Sequence, residues 1–267
     1  DTSEMAAFLA QHFAPLGFAI DRVRAPRENG PEHFIARLRG DGSKRPVLLA
    51  AHSDVVPVER EQWSVDPFAG EIRDGYVLGR GAMDFKGGLA VFATAVMMLA
   101  ENRVPLARDV IFLSEGDEEG GPHGARWLAN ERWGLIAAEF AINEGGWIHQ
   151  DARGVARQVN ITVRDKNTVV LKLVARGAPT HSAWPGIARH TAIGRLVLGL
   201  ARLVATDPAP MMTDETRAYF STLARTTDGT LAEQFRILAT SDSEAAQVAA
   251  GERIVAEGEY PELWHAL

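Results

Sequence analysis

The sequence predicts an α/β fold, in which a mixed sheet carries helices on both faces and a smaller α+β domain follows. Three short apolar runs, Pro46–Ala51, Asp109–Leu113 and Phe140–Ile142, are typical of strands that are covered on both sides. The segment Gly87–Glu101, between the first two runs, is apolar nearly all round and favours a buried helix. Strands that alternate with helices in this way indicate a layered α/β domain.

The N-terminal region predicts one helix and two further strands. From Thr2 to about Phe18, apolar residues recur at helical spacing. Phe18–Val23 and His33–Leu38 alternate between apolar and polar residues, as strands do, and a polar turn containing glycine joins them.

Further elements are expected beyond the second apolar run. A helix is predicted to begin at Pro122, because proline at the first helical position loses no hydrogen bond. Gln158–Val163 and Val169–Ala175 are predicted to pair as strands, and Arg189–Ala205 to form a long helix. The chain after Asp207 is mostly helix-forming.

The pattern of elements changes near residues 154–158, where we expect a domain boundary. Residues 1–157 would form the larger α/β domain, and residues 158–267 the smaller domain. A chain of 267 residues is long enough for this division.

Composition and charge limit the possible partners. Hydrophobic residues make up 46% of the chain and charged residues 24%, as in ordinary soluble proteins. The net charge of -7 argues against nucleic acid and gives no reason to expect binding to anionic membranes. No apolar run approaches the roughly 20 residues that a membrane span needs.

The absence of cysteine means that any metal site must use histidine and carboxylates. The chain begins with Asp1, so removal of a signal peptide stays open. Both a cytoplasmic and a periplasmic or secreted location are therefore compatible with the sequence.

Several potential metal ligands follow the predicted strands or precede the apolar helix. In open α/β sheets, ligands bind outside the carboxyl ends of the strands, so these side chains are expected to converge on one crevice. They are His52, Asp54, Asp84, Glu118, Glu119 and Glu144.

Metal binding accounts for this set better than acid–base catalysis by a carboxylate pair. Several carboxylates in one crevice repel each other, and divalent cations would neutralise them. Histidine together with carboxylates suits zinc, manganese or cobalt better than calcium. Because Glu118 and Glu119 are adjacent, one can bind metal while the other takes a proton from water. Asp54 can hold the ring of His52 through its second nitrogen.

Four ordered motifs carry a family resemblance. The chain resembles the dinuclear zinc amidohydrolases that include aminoacylase, carboxypeptidase S, glutamate carboxypeptidase and succinyl-diaminopimelate desuccinylase. The similarity extends over about residues 50–203. The motifs are His52–Asp54, Gly79–Gly88, Asp117–Gly121 and Asn143–Gly146.

The resemblance implies a role for each potential ligand. Asp84 would bridge two Zn²⁺ ions, with Co²⁺ or Mn²⁺ as alternative metals. His52 and Glu144 would complete one metal site, and Glu119 would serve the other. In this family a cis peptide bond follows the bridging aspartate, which here is Asp84–Phe85.

The resemblance also implies the catalytic residues and the fold around them. Glu118 would act as general base and then as general acid, while Asp54 would orient His52. His181 matches a histidine of the family's lid domain, which holds the substrate carbonyl or its oxyanion, often from the partner subunit. Residues 1–157 would then be the catalytic domain, and residues 158–267 a lid and dimerisation domain. The substrate would be a small peptide or an N-acyl amino acid.

The pattern departs from the family in one respect. Relatives use one more histidine to finish the Glu119 site, and an arginine of the lid to hold a substrate carboxylate. Neither motif is found, and His265 stands in the wrong context. We therefore expect a chain truncated at its C-terminus, without the returning catalytic segment, with the second metal site one ligand short and with weak activity.

Simpler roles for these residues stay open. Asp84 could merely cap the apolar helix, and Glu118 and Glu119 could be a solvated pair at a helix start. The protein could be a non-catalytic fragment that binds metal or ligand, or a dimerisation module. Details such as Trp63–Phe68 favour the carboxypeptidase S-like branch of the family.

Overall fold

The computed structural model forms two compact units, residues 1–166 and residues 167–267. The predicted boundary near residue 157, and the catalytic and lid assignments of the two parts, stay predictions. The structure describes residues 1–146, 148–163, 170–179, 181, 183, 186–206 and 210–257.

The secondary structure consists of helices and short strands. The described helices are α1 Thr2–Phe13, α2 Gly87–Glu101, α3 Ala125–Glu131, α4 Trp133–Ile136, α5 Ala192–Val204, α6 Asp214–Thr226, α7 Gly229–Thr240 and α8 Glu244–Glu257. The described strands are β1 Ala19–Arg24, β2 Glu32–Leu38, β3 Val47–His52, β4 Glu71–Arg73, β5 Tyr76–Leu78, β6 Val110–Glu115, β7 Phe140–Ile142, β8 Ile148–Gln150 and β9 Ala156–Val159. Short 3₁₀ turns occupy Ala14–Leu16, Arg60–Gln62 and Ala188–His190.

The central sheet is mixed, as predicted. Its strand order is β1-β2-β6-β3-β7. Strands β6 and β7 run parallel to β3, whereas β2 is antiparallel to both β1 and β6. The parallel register pairs His52 with Glu115, so β3 and β6 end at the same edge of the sheet. That edge is where potential ligands were expected.

Helices cover both faces of this sheet. On one face, the ring of Phe13 from α1 stacks on Phe112 with centroids 5.3 Å apart and meets Phe34 edge-on. On the other face, Leu128 of α3 and Ile136 of α4 are buried in one cluster with strand residues such as Ile111. The α/β class with helices on both faces is confirmed.

Helix α2 has the predicted bounds but not the predicted burial. Its buried residues are Leu89, Ala93 and Val96, while Val91 is 64% and Met98 is 54% exposed. By length and composition alone, the segment Ala82–Glu101, with a mean hydropathy of 1.4, suffices to cross a membrane. No span was expected here because the unbroken apolar run is shorter than this segment. The buried side chains of α2 pack into the core on one face of the sheet.

The helix predicted to begin at Pro122 begins at Ala125 instead. The carboxylate of Glu115 accepts the backbone N–H of Ala125, which fixes the first helical turn there. The preceding residues form a loop between β6 and α3. Similarly, α1 ends at Phe13, and a 3₁₀ turn with a proline continues it to Leu16.

The predicted strand pair after residue 157 is wrong for the described residues. Strand β9 covers Ala156–Val159 and pairs with β8 rather than with a later strand. Residues 170–175 contain no strand, while residues 164–169, which include the predicted strand residue Val169, lie outside the described residues. Alternating side chains can suit several strand partners, so periodicity alone did not identify β8.

The second unit contains α5 and a helical cluster formed by α6, α7 and α8. Phe220 of α6 stacks on Phe235 of α7 with ring centroids 5.8 Å apart, and Ile254 of α8 is buried in the same core. The helix-forming character predicted after residue 207 is therefore confirmed for residues 214–257. The lid architecture of this region stays a prediction.

Candidate metal centre

The centre is built at the carboxyl edge of the parallel strands. His52 is the last residue of β3, with only 2% of its surface exposed. Glu118 and Glu119 lie in the loop that follows β6, and Glu144 lies two residues after β7. Each of these side chains therefore follows the end of a strand. Strands β3 and β6 are largely buried, but β7 is exposed, so the prediction that Phe140–Ile142 is covered on both sides is wrong.

Asp84 reaches the same edge from the segment before α2. This segment, Ala82–Lys86, contains non-helical backbone at Asp84 and Phe85. The peptide bond between these two residues is cis, which agrees with the expectation drawn from the family resemblance. Asp84 does not cap α2: the N-cap position is Lys86, which has no side-chain capping bond.

The predicted ligands come together around His52. Its Nε2 lies 2.9 Å from Oδ1 of Asp84 and 3.4 Å from Oε2 of Glu144. Ligand atoms of His52, Asp84 and Glu119 lie within 4.8 Å of one another. The same holds for His52, Glu118 and Glu144. These residues, predicted from four separate motifs, thus form one cluster.

The second ring nitrogen of His52 is held by Asp54. Nδ1 lies 3.0 Å from the backbone carbonyl of Asp54 and 3.6 Å from its Oδ1. The backbone carbonyl of Asp54 is therefore the nearer hydrogen-bond acceptor, and its carboxylate lies further away. A proton on Nδ1 leaves Nε2 free to bind a cation.

The carboxylate of Asp54 also supports the neighbouring loop. Its Oδ2 accepts the backbone N–H of Glu119 at 3.0 Å. Burial alone would raise the pKa of Asp54, but hydrogen bonds from His52 and from the Glu119 and Glu118 backbone hold it below its ordinary value. Asp54 is therefore a charged acceptor that links β3 to the loop carrying both glutamates.

The negative surroundings act strongly on His52. The side chain of Asp54 makes the largest contribution and raises the pKa of His52 to about 10, with further contributions from Asp84 and Glu144. Burial opposes this rise. Without a metal ion, His52 would thus carry a proton that partly neutralises the cluster.

The pKa values of two glutamates in the cluster are raised as well. Burial raises the pKa of Glu118 and of Glu144, and the charge of His52 opposes this rise. The neighbouring carboxylates, including Glu119, raise both pKa values further. Mutual repulsion of this kind is what a bound cation relieves.

The arrangement fits one or two divalent cations of the zinc class. A single buried imidazole nitrogen faces two carboxylates, and two further carboxylates lie within reach of the same atom. This mixed nitrogen and oxygen donor set suits zinc, cobalt or manganese better than calcium. When bound, such an ion polarises a carbonyl and lowers the pKa of water.

Glu115 belongs to the surroundings of the centre and was not predicted from the sequence. It is the last residue of β6 and only 6% exposed. Burial raises its pKa to about 7, and the charges of Glu118 and Asp54 add to the rise. An acidic residue at the end of a buried strand was the available signal, but the adjacent pair Glu118 and Glu119 drew the assignment away from it.

His181 lies in the second unit and is exposed. Its Nδ1 accepts the backbone N–H of Ala183 at 3.1 Å. Its role toward a substrate stays a prediction. His265 lies outside the described residues.

A mixed α/β sheet whose strand ends gather an imidazole and several carboxylates has the architecture of a metal-dependent hydrolase. The chain belongs to peptidase family M20/M25/M40, whose family model matches residues 48–257. The family predicted from the four motifs is thereby confirmed.

Curated relatives support the assignment. The chain is 34% identical over 229 residues to the succinyl-diaminopimelate desuccinylase of Delftia acidovorans (strain DSM 14801 / SPH-1), with 79% of this chain and 53% of that protein aligned. It is 36% identical over 216 residues to the same-named enzyme of Rhodospirillum centenum (strain ATCC 51521 / SW), again covering 79% and 53%. The chain therefore spans about half the length of the curated relatives it matches.

A solved structure supports the fold. The M20 family metallo-carboxypeptidase of Sulfolobus solfataricus superposes with a TM-score of 0.56 over 93% of this chain and 57% of that one, at 22% identity.

Proposed function

We propose that this protein is a metal-dependent hydrolase that cleaves the amide bond of an N-acyl amino acid or of a peptide at its C-terminus. One observation carries the proposal: His52 faces Asp84 and Glu144 at 2.9 and 3.4 Å, with both glutamates of the β6–α3 loop close by. Membership of the peptidase family supports the hydrolytic class.

The cations would be held by His52, Asp84, Glu119 and Glu144. Asp84 would lie between the two ions, since its carboxylate belongs to a group with both His52 and Glu119. His52 and Glu144 would complete one site, and Glu119 would serve the other. Zinc is the proposed ion, with cobalt or manganese as functional substitutes.

Glu118 is the proposed general base. It takes the proton of the attacking water and then delivers it to the leaving amine. Burial raises its pKa above the ordinary value, which is the direction that helps a general base to return its proton to the leaving group. Asp54 would keep His52 oriented, and His181 would stabilise the oxyanion of the tetrahedral intermediate.

An acylated amino acid is the favoured substrate within this class. Two relatives that exceed 30% identity are named for an acylated amino acid, succinyl-diaminopimelate. The sequence details around Trp63–Phe68 favoured a carboxypeptidase S-like enzyme instead. An aminoacylase-like enzyme is the third alternative. A panel of N-succinyl, N-acetyl and dipeptide substrates distinguishes these possibilities.

The two metal positions are proposed to differ in affinity. Among the described residues, both candidate ligand groups share the same imidazole, that of His52. If His52 binds the ion held by Glu144, the described ligands left for the other ion are the carboxylates of Asp84 and Glu119. We therefore propose that the Glu119 position of this chain is one ligand short, so that it binds its ion weakly and turnover by the chain alone is slow. Turnover by this chain at rates ordinary for the family would contradict that proposal.

A homodimer through the second unit is also proposed. Helix α5 exposes an apolar face, with Val197 56% and Leu203 56% exposed. Beside it lies an open groove of about 880 Å³, lined by residues that include Leu171 and Leu200. Apolar patches of this kind are typical of subunit interfaces. Sedimentation of the chain tests this, and a monomer at all concentrations would contradict it.

The test of hydrolysis is replacement of Glu118. Glu118→Gln keeps the side-chain volume but cannot accept a proton, so we expect turnover to fall about 100-fold or more while zinc content is unchanged. Glu131→Gln, an exposed acid of α3, is the matched control and should behave like the wild type. If Glu118→Gln lost zinc instead, Glu118 would be a ligand rather than the base. Zinc binding without turnover of any substrate in the panel would favour a non-catalytic binding protein.

A further inference from the structure

The loop between β6 and α3, residues 116–124, carries the proposed base and a proposed ligand. Side chains accept several backbone N–H groups in and beside this loop, while the N–H of Gly120 donates to the backbone carbonyl of Glu118. Glu115 accepts the N–H of Ala125, and Asp54 accepts the N–H of Glu119. Asp117 accepts the N–H of His123 at 2.9 Å. The position of Glu118 thus depends on a set of buried acceptors.

One acceptor in this set is an imidazole. His33, in β2, is completely buried, and its Nδ1 accepts the backbone N–H of Gly116 at 3.1 Å. Gly116 is the first residue after β6 and lies against the backbone of β2, where a Cβ would come within 2.5 Å of the Glu32 carbonyl. His33 therefore fixes the point at which the chain leaves the sheet, two residues before Glu118.

The packing around His33 keeps its ring in place. Trp127 of α3 stacks on it with ring centroids 5.8 Å apart and planes inclined by 24°. Burial lowers the pKa of His33, although the charge of Asp117 opposes this, so the ring is neutral at physiological pH. Because Nδ1 accepts a hydrogen bond, the proton of the neutral ring is on Nε2.

We propose that His33 is a positioning residue for Glu118 and Glu119, acting through the hydrogen bond from Gly116 to Nδ1. This inference rests on the proposed function for its catalytic consequence, but the structural claim stands on contacts alone. His33 touches neither the substrate nor the cations in this proposal. Its loss would leave the buried N–H of Gly116 unsatisfied and release the start of the loop.

The length of the side chain provides a sharp test. The amide oxygen of asparagine is bonded to Cγ, as Nδ1 of histidine is, whereas that of glutamine lies one atom further out. His33→Asn should therefore keep an acceptor for Gly116, and His33→Gln should not. His33→Leu removes the acceptor while staying apolar, and His12→Leu, in the exposed last turn of α1, is the control.

Amide hydrogen exchange of peptides covering residues 116–124 is the primary measurement, made on the chain without metal. We expect exchange about 10-fold faster in His33→Leu and His33→Gln than in the wild type, and near wild-type exchange in His33→Asn and in the control. The ring nitrogen shifts of His33 in the wild type should show the Nε2–H tautomer. If His33→Leu does not fold, the Asn and Gln pair still decides.

Catalysis and metal binding provide the second measurement. In His33→Gln we expect kcat to fall about 10-fold with little change in KM, because the variant moves Glu118 out of position but leaves substrate binding unchanged. Cobalt affinity should weaken about 10-fold in parallel. Equal loop exchange in the Asn and Gln variants, or unchanged exchange in His33→Leu, would overturn the proposal. Lack of turnover by the wild type would instead contradict the proposed hydrolase function. Hydrogen exchange would still test the role of His33 in that case.

Discussion

At the scale of single residues, the centre depends on what surrounds His52. Its Nε2 faces two carboxylates, and its Nδ1 is held by the backbone carbonyl of Asp54. This arrangement presents one nitrogen to a cation and protects the other. Burial makes the geometry rigid, since His52 has 2% of its surface exposed.

Replacement of His52 should abolish tight metal binding. In His52→Asn we expect zinc affinity to fall by more than the 10- to 100-fold that typically follows loss of an outer-shell partner. Titration calorimetry with zinc measures this. His12→Asn, which alters an exposed histidine, is the control, and equal affinities of the two variants would exclude His52 as a ligand.

Glu115 should make the stability of the metal-free protein depend on pH. Its pKa in the folded protein is about 7, above its ordinary 4.5, so the folded state retains a proton that the unfolded state loses. This contribution to stability is fully present below about pH 4.5 and is lost as the pH rises through about 7. Its total is on the order of 3 kcal/mol.

Glu115→Gln removes this titration, because an amide binds no proton in that range. Urea unfolding of both proteins between pH 4.5 and 7.5, with a chelator present, measures the effect. The free energy of unfolding of the wild type should fall relative to that of the variant as the pH rises. A constant difference across the range would show that the pKa of Glu115 is not raised in the fold.

At the scale of elements, α1 is expected to stabilise the sheet through one buried aromatic residue. Phe13 is completely buried and meets Phe34 and Phe112 at centroid distances of 5.3 Å. Phe13→Ala should lower the free energy of unfolding by about 3 to 5 kcal/mol. Phe8→Ala, on the exposed side of the same helix, should change it by about 0.5 kcal/mol or less. Similar values for the two variants, from urea unfolding, would contradict the described packing.

The elements of the first unit could largely be predicted from sequence, and the reason is local. The run before His52 is continuously apolar, and it forms β3, whose neighbours β6 and β7 cover both edges. The prediction that a helix begins at Pro122 was wrong, because the carboxylate of Glu115 determines where the helix starts and the local preference of proline does not. The prediction that α2 is buried all round was wrong, because composition does not reveal which side of a helix packs against the sheet.

At the scale of the whole molecule, the convergence of distant motifs is the main outcome. His52, Asp84, Glu119 and Glu144 were predicted to meet because strand ends share an edge, and the structure brings them together. His33 could not be found in this way, because it lies inside β2 and its partner is a backbone N–H group. Glu115 lies at a strand end and could have been found, but it was passed over in favour of Glu118 and Glu119. The pairing of β9 with β8 could not be predicted either, since it depends on the register between two short segments whose alternation of apolar and polar residues is weak.

Bound cations should stabilise the folded chain as a whole. A ligand that binds only the folded state at 100 times its dissociation constant adds about 2.7 kcal/mol. We therefore expect zinc to raise the Tm of the wild type and a chelator to reverse the rise. In Asp84→Asn, which removes the charge of the proposed bridging carboxylate, the rise should be much smaller. An equal rise in both proteins would place the stabilising ion elsewhere.

The most direct test of the proposed metal centre is an anomalous diffraction map from crystals grown with zinc. We predict a strong peak about 2.0 to 2.2 Å from Nε2 of His52, with carboxylate oxygens of Asp84 and Glu144 as further ligands. A second, weaker peak is predicted between Asp84 and Glu119. Zinc bound away from His52, or a map without a peak at this edge of the sheet, would contradict the proposed centre.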